Sequence, residues 1–277
     1  MSKQLSPDEA LEMIPELAGT HSRWWAMPGG LTNRNYKVEA ADQCFVLRLD
    51  DEHTANFKLD RDTELKARNC ACAAGLAPRV VFADNNHGIL FSEYLTGDVW
   101  QAADLNETQN LVSLAELIRE VHELPSLGVR FDASQVMRHY AGNLIDSADL
   151  QAFAGRCQQI AMQTPVADSY CCCHNDVIAE NIVVQDRLML LDWEYACDNH
   201  PLFDLASVIG FHDLGAKRTE ILFHAYSGGA DSTLRERLDM QIRLFDAVQW
   251  LWFAARHSVS PNRRLAGRMK KLQQRIK

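Results

Sequence analysis

Two neighbouring segments decide how the chain folds: His174-Asn175-Asp176-Val177-Ile178-Ala179-Glu180-Asn181 and Leu190-Leu191-Asp192-Trp193-Glu194-Tyr195. Asp176 precedes Asn181 by five residues, and Asp192 follows Asn181 by eleven. Two short apolar runs flank a turn at 185–187, so we predict a hairpin that returns Asp192 to Asn181. One carboxylate and one carboxamide suit Mg²⁺. Asp176 is then free to accept a hydroxyl proton or to orient an attacking oxygen.

Hydrophobic patterning divides the rest of the chain near residue 95. Before it, alternation predicts strands, the clearest at 35–40 and 44–49, with one helix over 59–74. Beyond Thr96 and Gly97 helical periodicity dominates. We predict an α+β chain of two lobes: a small antiparallel-sheet lobe over 1–95 and a mainly helical lobe over 96–277. The later helices are expected at 203–211, 217–226 and 234–257.

Composition and charge exclude several classes of protein. The 277 residues are 47% hydrophobic and 23% charged, which is typical of a globular chain. The net charge of −9 argues against a nucleic-acid partner and favours a cationic ligand. The basic tail, residues 261–277, contains seven Lys and Arg and no acid. Its apolar residues recur at helical spacing, so we predict a docked helix with its cations facing solvent.

The eight cysteines and the apolar segments predict a cellular compartment. No paired Cys-x-x-Cys spacing occurs. The run Cys171-Cys172-Cys173 is interpreted as a buried strand rather than a metal site, because adjacent strand residues point to opposite faces. We see no signal-peptide pattern and no apolar stretch near the roughly 18 residues that a membrane span needs. We therefore expect a cytoplasmic protein without a membrane span.

The two opening segments also carry a family resemblance. His-x-Asp-x-x-x-x-Asn followed by Asp-Trp-Glu-Tyr-Ala resembles the aminoglycoside phosphotransferase family, which includes choline and ethanolamine kinases and is related to protein kinases. The resemblance implies a bilobal protein-kinase-like fold and the cofactors ATP and Mg²⁺. It implies that Asp176 is catalytic and that Asn181 and Asp192 hold Mg²⁺. His174 and Asp204 are then structural, with Asp204 bracing the catalytic loop.

The first lobe supplies matching candidates for nucleotide binding. The segment 29–36 is similar to the phosphate loop of choline and ethanolamine kinases, although the Gly-x-Gly-x-x-Gly of protein kinases is absent. Arg48 stands where protein kinases carry a strand lysine, and Glu64 on the next helix is its expected ion-pair partner. The segment 91–95 resembles the hinge that binds adenine. The cofactor-binding residues so implied are Gly30, Thr32, Asn33, Arg48, Glu64, Glu93 and Leu95.

Aromatic residues are the candidates for the acceptor. Trp250 and Trp252 resemble an aromatic run of choline kinases, and Trp193 and Tyr195 adjoin the magnesium-binding Asp192. Aromatic faces attract quaternary ammonium groups by roughly 0.5 to 2 kcal/mol each. Trp250 and Trp252 lie about 200° apart on a helix, so both cannot face one pocket without help from other elements.

These patterns predict a kinase that transfers the γ-phosphoryl group of Mg·ATP to a small cationic alcohol, choline or ethanolamine. Thiamine remains an alternative acceptor, because the acidic residue that choline kinases place after their Phe-Asp-Leu-Ala segment is displaced here, with Asp213 as its possible substitute. An aminoglycoside acceptor and a non-catalytic nucleotide-binding relative are the further alternatives. A protein kinase proper is disfavoured because no Ala-Pro-Glu segment follows Asp192.

Overall fold

The computed structural model describes residues 4–28, 32–52, 54–57, 59–229 and 231–276. Its first part is one antiparallel sheet, with one helix before the central hairpin in the sequence and one helix after it. The elements are α1 (Pro7–Glu12), β1 (Ser22–Ala26), β2 (Asn33–Ala40), β3 (Gln43–Asp50), α2 (Arg61–Ala73), β4 (Val80–Asp84) and β5 (Ile89–Glu93). The strand order in the sheet is β1-β2-β3-β5-β4.

The central hairpin follows from its turn. Ala41 and Asp42 form a two-residue loop, both with positive φ, and Ala40 pairs with Gln43. A loop of this geometry matches the right-handed twist of the flanking strands. The predicted strands at 35–40 and 44–49 are therefore confirmed, each slightly longer than expected. Helix α2 begins after Asp60, whose side chain accepts hydrogen bonds from the backbone of Asp62 and Thr63.

The second part is mainly helical, with short strand pairs inserted among the helices. The elements are β6 (Asp98–Val99), α3 (Thr108–His122), α4 (Ala133–Gly142), α5 (Ala148–Gln163), β7 (Cys171–Cys173), β8 (Ile182–Val184), β9 (Leu188–Leu190), β10 (Cys197–Asn199), α6 (Leu202–His212), α7 (Ala216–Ser227), α8 (Ser232–Val259) and α9 (Arg263–Arg275).

The α+β, protein-kinase-like fold class is confirmed by this arrangement. Helices α6, α7 and α8 lie where helical periodicity predicted them. Strand β1 and helices α4 and α5 were not predicted, since their patterns are short or weakly periodic. The boundary at residue 95 falls between β5 and β6, and the division into two domains there stays a prediction.

The connection between the two parts is tight. Strand β6 pairs with β8, and a Cβ atom on Gly97 would lie 2.0 Å from the carbonyl oxygen of Val184. Because no side chain fits in that space, glycine is required where the connection crosses the β8–β9 hairpin.

The basic tail forms the predicted docked helix, but the expectation that its cations face solvent is wrong for Arg275, whose Nε lies 2.9 Å from Oδ2 of the buried Asp246. Leu265, Met269 and Leu272 of α9 are buried against α8. Asp213 pairs with Lys271 of this helix, with Nζ 2.7 Å from Oδ2, so its carboxylate is engaged by the tail. Among the described residues, none of the helices is both long enough and apolar enough to cross a membrane.

Candidate active site

The loop after β7 is held by one buried carboxylate. Asp204, at the start of α6, accepts hydrogen bonds from the backbone N–H groups of His174 (3.0 Å) and Asn175 (2.6 Å). Asn175 has a φ of 65°, a left-handed conformation that needs such support. Asp204 thus makes the contacts that the expected brace requires. It fixes the backbone immediately before Asp176.

His174 joins the loop to the strand that leads to Asp192. Its buried ring places Nε2 2.8 Å from the carbonyl oxygen of Leu191. The backbone N–H of Leu191 in turn donates to the carbonyl oxygen of Asn181, at 2.8 Å. Burial lowers the pKa of His174, so the ring stays neutral near pH 7. Its role here is structural, because it connects the loop to Leu191. The predicted hairpin is present, and it brings Asp192 beside Asn181.

Asp176 lies in the cleft with its carboxyl group partly exposed. Asn181 donates from Nδ2 to the carbonyl oxygen of Asp176 (3.0 Å) and to its Oδ2 (3.1 Å). Desolvation raises the pKa of Asp176 to about 8, and the charges of Asp192 and Glu194 add to the effect. A carboxylate with a raised pKa is a better proton acceptor near neutral pH.

The donors at Asn181 and Asp192 fit a magnesium ion. The two bonds to Asp176 use the Nδ2 of Asn181, which leaves Oδ1 as a neutral oxygen donor. Asp192 is held in a left-handed conformation, with φ of 58°, and 41% of its side chain is exposed. One carboxylate and one carboxamide oxygen, with room for water and phosphate oxygens, match the ligands that Mg²⁺ accepts.

Arg48 and Glu64 form the expected buried ion pair. Both Nη atoms of Arg48 contact the Glu64 carboxylate, Nη2 at 2.8 Å from Oε2, and both side chains are less than 9% exposed. Burial opposes the charge on Glu64, but Arg48, Arg68 and Arg61 outweigh it and hold the pKa of Glu64 far below its usual range. Nη1 of Arg48 also lies 3.9 Å from Oδ1 of Asp192. The cation therefore faces the candidate magnesium site.

Glu194 and Arg61 were missed by the sequence reasoning. Glu194 accepts a hydrogen bond from Oγ1 of Thr32 and another from Nδ2 of Asn33, both at 2.7 Å. Arg61 places Nη1 3.3 Å from Glu194 and Nη2 2.7 Å from Oδ1 of Asn33. The contacts join the phosphate-loop candidates to the hairpin segment. The sequence feature that could have revealed these contacts was Glu194 itself, an acid two residues after Asp192. A charge that is buried at this position requires partners from other segments of the chain.

The remaining nucleotide candidates line one cavity with Asp176 and Asp192. The cavity has a volume of about 1260 Å³, and Thr32, Glu93 and Leu95 are among its lining residues. Asn33 is buried beside it through its bond to Glu194. The carboxylate of Glu93 pairs with Arg79, and its backbone N–H donates to the carbonyl oxygen of Arg79 at 3.0 Å, so the candidate contact of Glu93 with a ligand is its carbonyl oxygen. Gly30 lies outside the described residues.

Aromatic side chains form a second region of the same cavity. Nε1 of Trp252 donates to the hydroxyl of Tyr195 at 2.8 Å. The ring of Phe57 lies 5.4 Å from that of Trp252 and 6.4 Å from that of Tyr140. All four residues line the cavity together with Asp176.

The other two tryptophans predicted for the acceptor point away from the cavity. Trp193 is fully buried and donates from Nε1 to the carbonyl oxygen of Leu190. Trp250 is fully buried against Phe153, with ring centroids 4.5 Å apart. Because α8 packs on α5 through the Trp250 side, the helical phase turns Trp252 toward the cleft. The structure brings together Tyr195 and Trp252, and it leaves Trp193 and Trp250 in the core.

The fold and this site define a phosphotransferase: a cleft between a sheet and a helical body, with a buried Arg–Glu pair facing an Asp, Asn and Asp set. Comparison with known families agrees. The model of the phosphotransferase enzyme family matches residues 26–240, and the chain belongs to that family.

Individual relatives are similar at low identity. Protein LicA of Haemophilus influenzae is 27% identical over 235 residues, a match that spans 79% of this chain and 66% of the relative. The choline kinase LicA of Streptococcus pneumoniae shares the fold, with a TM-score of 0.78, 18% identity and 96% of each chain covered. A structure of LicA in complex with AMP gives a TM-score of 0.80 at 17% identity, again with 96% of each chain covered.

Proposed function

We propose that the chain transfers the γ-phosphoryl group of Mg·ATP to the hydroxyl of a small cationic alcohol, with choline or ethanolamine as the acceptor. The observation that carries the proposal is the meeting of Tyr195 and Trp252 in the cavity that also holds Asp176. The similar structures support it, since one is a choline kinase and another binds AMP.

Asp176 is the proton acceptor in this scheme. Asn181 fixes Oδ2 of Asp176, so the other carboxylate oxygen is available to the acceptor hydroxyl. The hydroxyl proton passes to Asp176 as the acceptor oxygen bonds to phosphorus and the bond to the departing diphosphate breaks. Positioning by the loop and electrostatic stabilisation supply most of the rate enhancement.

Positive charge reaches the phosphates from two sides. Arg48, oriented by Glu64, contacts the nucleotide phosphates. Asn181 and Asp192 hold Mg²⁺, which when bound neutralises charge on the phosphate oxygens. Thr32 and Asn33 are fixed by Glu194, so the phosphate loop is anchored to the segment that carries Asp192. The backbone at Glu93 and Leu95 receives the adenine.

The acceptor's cation is bound by aromatic faces and by nearby acids. Tyr195 and Trp252 are partly exposed in the cavity, Trp252 packs against the buried ring of Phe57, and each ring that faces an ammonium group contributes roughly 0.5 to 2 kcal/mol. Glu194 is the acid with the largest effect on this region, since its charge, after the larger effect of burial, raises the pKa of the Tyr195 hydroxyl. Asp213 pairs with the basic tail, so it is assigned no part in acceptor binding.

The test is ATP consumption by the purified chain with choline, ethanolamine, thiamine and an aminoglycoside, each at several concentrations. We expect the highest kcat/KM with choline or ethanolamine, and loss of that turnover in Asp176→Asn with ATP binding retained. The exposed turn residue Asp186 supplies the matched control, Asp186→Asn, which keeps full turnover. Faster turnover of thiamine or the aminoglycoside would replace the proposed acceptor, and ATP binding without any turnover would contradict the proposal.

A further inference from the structure

Behind the catalytic loop, two thiols of strand β7 share one face. Cys171 and Cys173 are alternate residues, and their Sγ atoms lie 3.7 Å apart. The intervening Cys172 points into the hydrophobic core. Adjacent residues of a strand point to opposite faces, as predicted for this run, but the alternate residues Cys171 and Cys173 point to the same face. Both thiols contact the carbonyl oxygen of Asn199 on β10.

An imidazole completes the cluster. His122, the last residue of α3, offers a ligand atom that lies with the two Sγ atoms in a group of three, all within 4.8 Å of one another. Nε2 of His122 is 3.1 Å from Oδ2 of Asp204, and Nδ1 is 2.9 Å from the hydroxyl of Tyr226. The carboxylate is an acceptor, so Nε2 carries the proton and Nδ1 keeps its lone pair.

The hydroxyl of Tyr226 lies next to the imidazole of this cluster. It hydrogen-bonds to Nδ1 of His122, and both thiols raise its pKa, after the larger effect of burial. A hydrogen bond between the thiols lowers the pKa of Cys171, whereas burial and the same bond raise the pKa of Cys173, so an ion has to displace the proton of Cys173.

We propose that His122, Cys171 and Cys173 form a binding site for a Zn²⁺-like ion. Two thiolates and one imidazole are a ligand set that selects zinc over magnesium, and water or the Tyr226 hydroxyl completes four-coordination. Asp204 holds the other ring nitrogen of His122, which is the usual support of a metal-binding histidine. Binding releases the thiol protons to solvent, so affinity rises with pH.

The proposed site is connected to the catalytic loop in two ways, one covalent and one through hydrogen bonds. Cys173 directly precedes His174 in the chain. Asp204, which supports His122, also accepts the backbone hydrogen bonds of His174 and Asn175. Drawing His122 and the thiols toward an ion therefore shifts the loop that carries Asp176, and we expect turnover to fall. This effect on turnover rests on the proposed function, whereas ion binding does not.

The binding test uses the full chain, freed of metal and kept reduced, and titrated with Zn²⁺ against a chromophoric chelator. We expect one ion per chain, bound at least about tenfold more weakly in Cys171→Ser. Cys44→Ser is the matched control, because Cys44 is also a partly exposed thiol on a strand but lies in the first sheet. Co²⁺ in place of Zn²⁺ should show a thiolate charge-transfer band that is weaker in Cys171→Ser, which keeps one of the two thiolates.

Folding and turnover are measured on the same samples. Cys173→Ala keeps a small apolar side chain at the buried position, so it supplies a second test if the serine variant is misfolded. Equal Zn²⁺ affinity in the wild type and both folded variants, or a Co²⁺ spectrum without thiolate character, overturns the site.

Zn²⁺ should slow Mg²⁺-dependent turnover in the wild type and much less in Cys171→Ser. Equal inhibition of both overturns the coupling to the loop, while absence of any turnover counts against the proposed function instead.

Discussion

Replacing Asp176 with asparagine is expected to abolish turnover and yet to stabilise the fold. The pKa of this carboxyl rises from 3.8 to about 8 because the folded protein desolvates it near Asp192 and Glu194. A group whose pKa is raised by folding stabilises the folded state below its unfolded pKa, and that contribution is lost as the pH rises toward 8. Asparagine carries no charge, and its side-chain oxygen still accepts from Asn181.

The magnitude follows from the shift. At about 1.36 kcal/mol per pKa unit, a fully desolvated carboxyl would cost about 6 kcal/mol above pH 8. The carboxyl of Asp176 opens to the cleft, so we take half of this value, about 3 kcal/mol, to allow for solvent screening. Asp176→Asn should therefore gain up to about 3 kcal/mol of unfolding free energy at pH 8, and little at pH 4.

The assay is urea unfolding, followed by tryptophan fluorescence at several pH values between 4 and 8, beside the turnover assay. Asp186→Asn, at an exposed turn, should leave both the unfolding free energy and turnover unchanged. We expect turnover of Asp176→Asn to fall at least about 100-fold. An unfolding free energy of Asp176→Asn that is equal to or below the wild-type value at pH 8 would refute the reasoning from buried charge.

Three further outcomes are expected. Glu64→Gln should lower the unfolding free energy by about 3–5 kcal/mol, because buried Arg48 loses its charged partner; denaturant unfolding measures this, and a change below 1 kcal/mol would contradict it. Trp252→Phe keeps a ring but loses the bond to Tyr195, so the acceptor KM should rise about five- to tenfold with the KM for ATP unchanged; a rise in both would place Trp252 elsewhere in the mechanism. The kcat/KM of the wild type should fall as the pH drops below about 8, and Glu194→Gln should move that limb to lower pH, since the Glu194 charge helps to raise the pKa of Asp176; an unmoved limb argues against this coupling.

Much of the candidate site could be predicted because its residues are close together in the chain. Asp176, Asn181 and Asp192 lie within one loop and one hairpin, so their spacing alone predicts that they meet. The pair of Arg48 and Glu64 needed one further assumption, that a helix packs on the strand before it. Hydrophobic periodicity predicted both the sheet and the long helices, since each buries one face along its whole length.

Contacts between distant residues could not be predicted in this way. Thr32 and Glu194 are 162 residues apart, and nothing in either segment specifies the other. The same holds for the tryptophans, because a helix pattern shows that Trp250 and Trp252 face different directions but not which direction is the cleft. Packing of α8 against α5 decides that choice.

The sequence by itself predicted the candidate chemistry of this protein, namely a loop with a candidate proton acceptor and two candidate oxygen ligands for a magnesium ion, and it predicted the division into sheet and helices. Only the tertiary structure decided which aromatic rings meet Asp176, how Glu194 is neutralised, and that His122 reaches Cys171 and Cys173. The physical reason is that local spacing fixes residues along one element, whereas the phase and approach of separate elements depend on how all their buried faces pack at once.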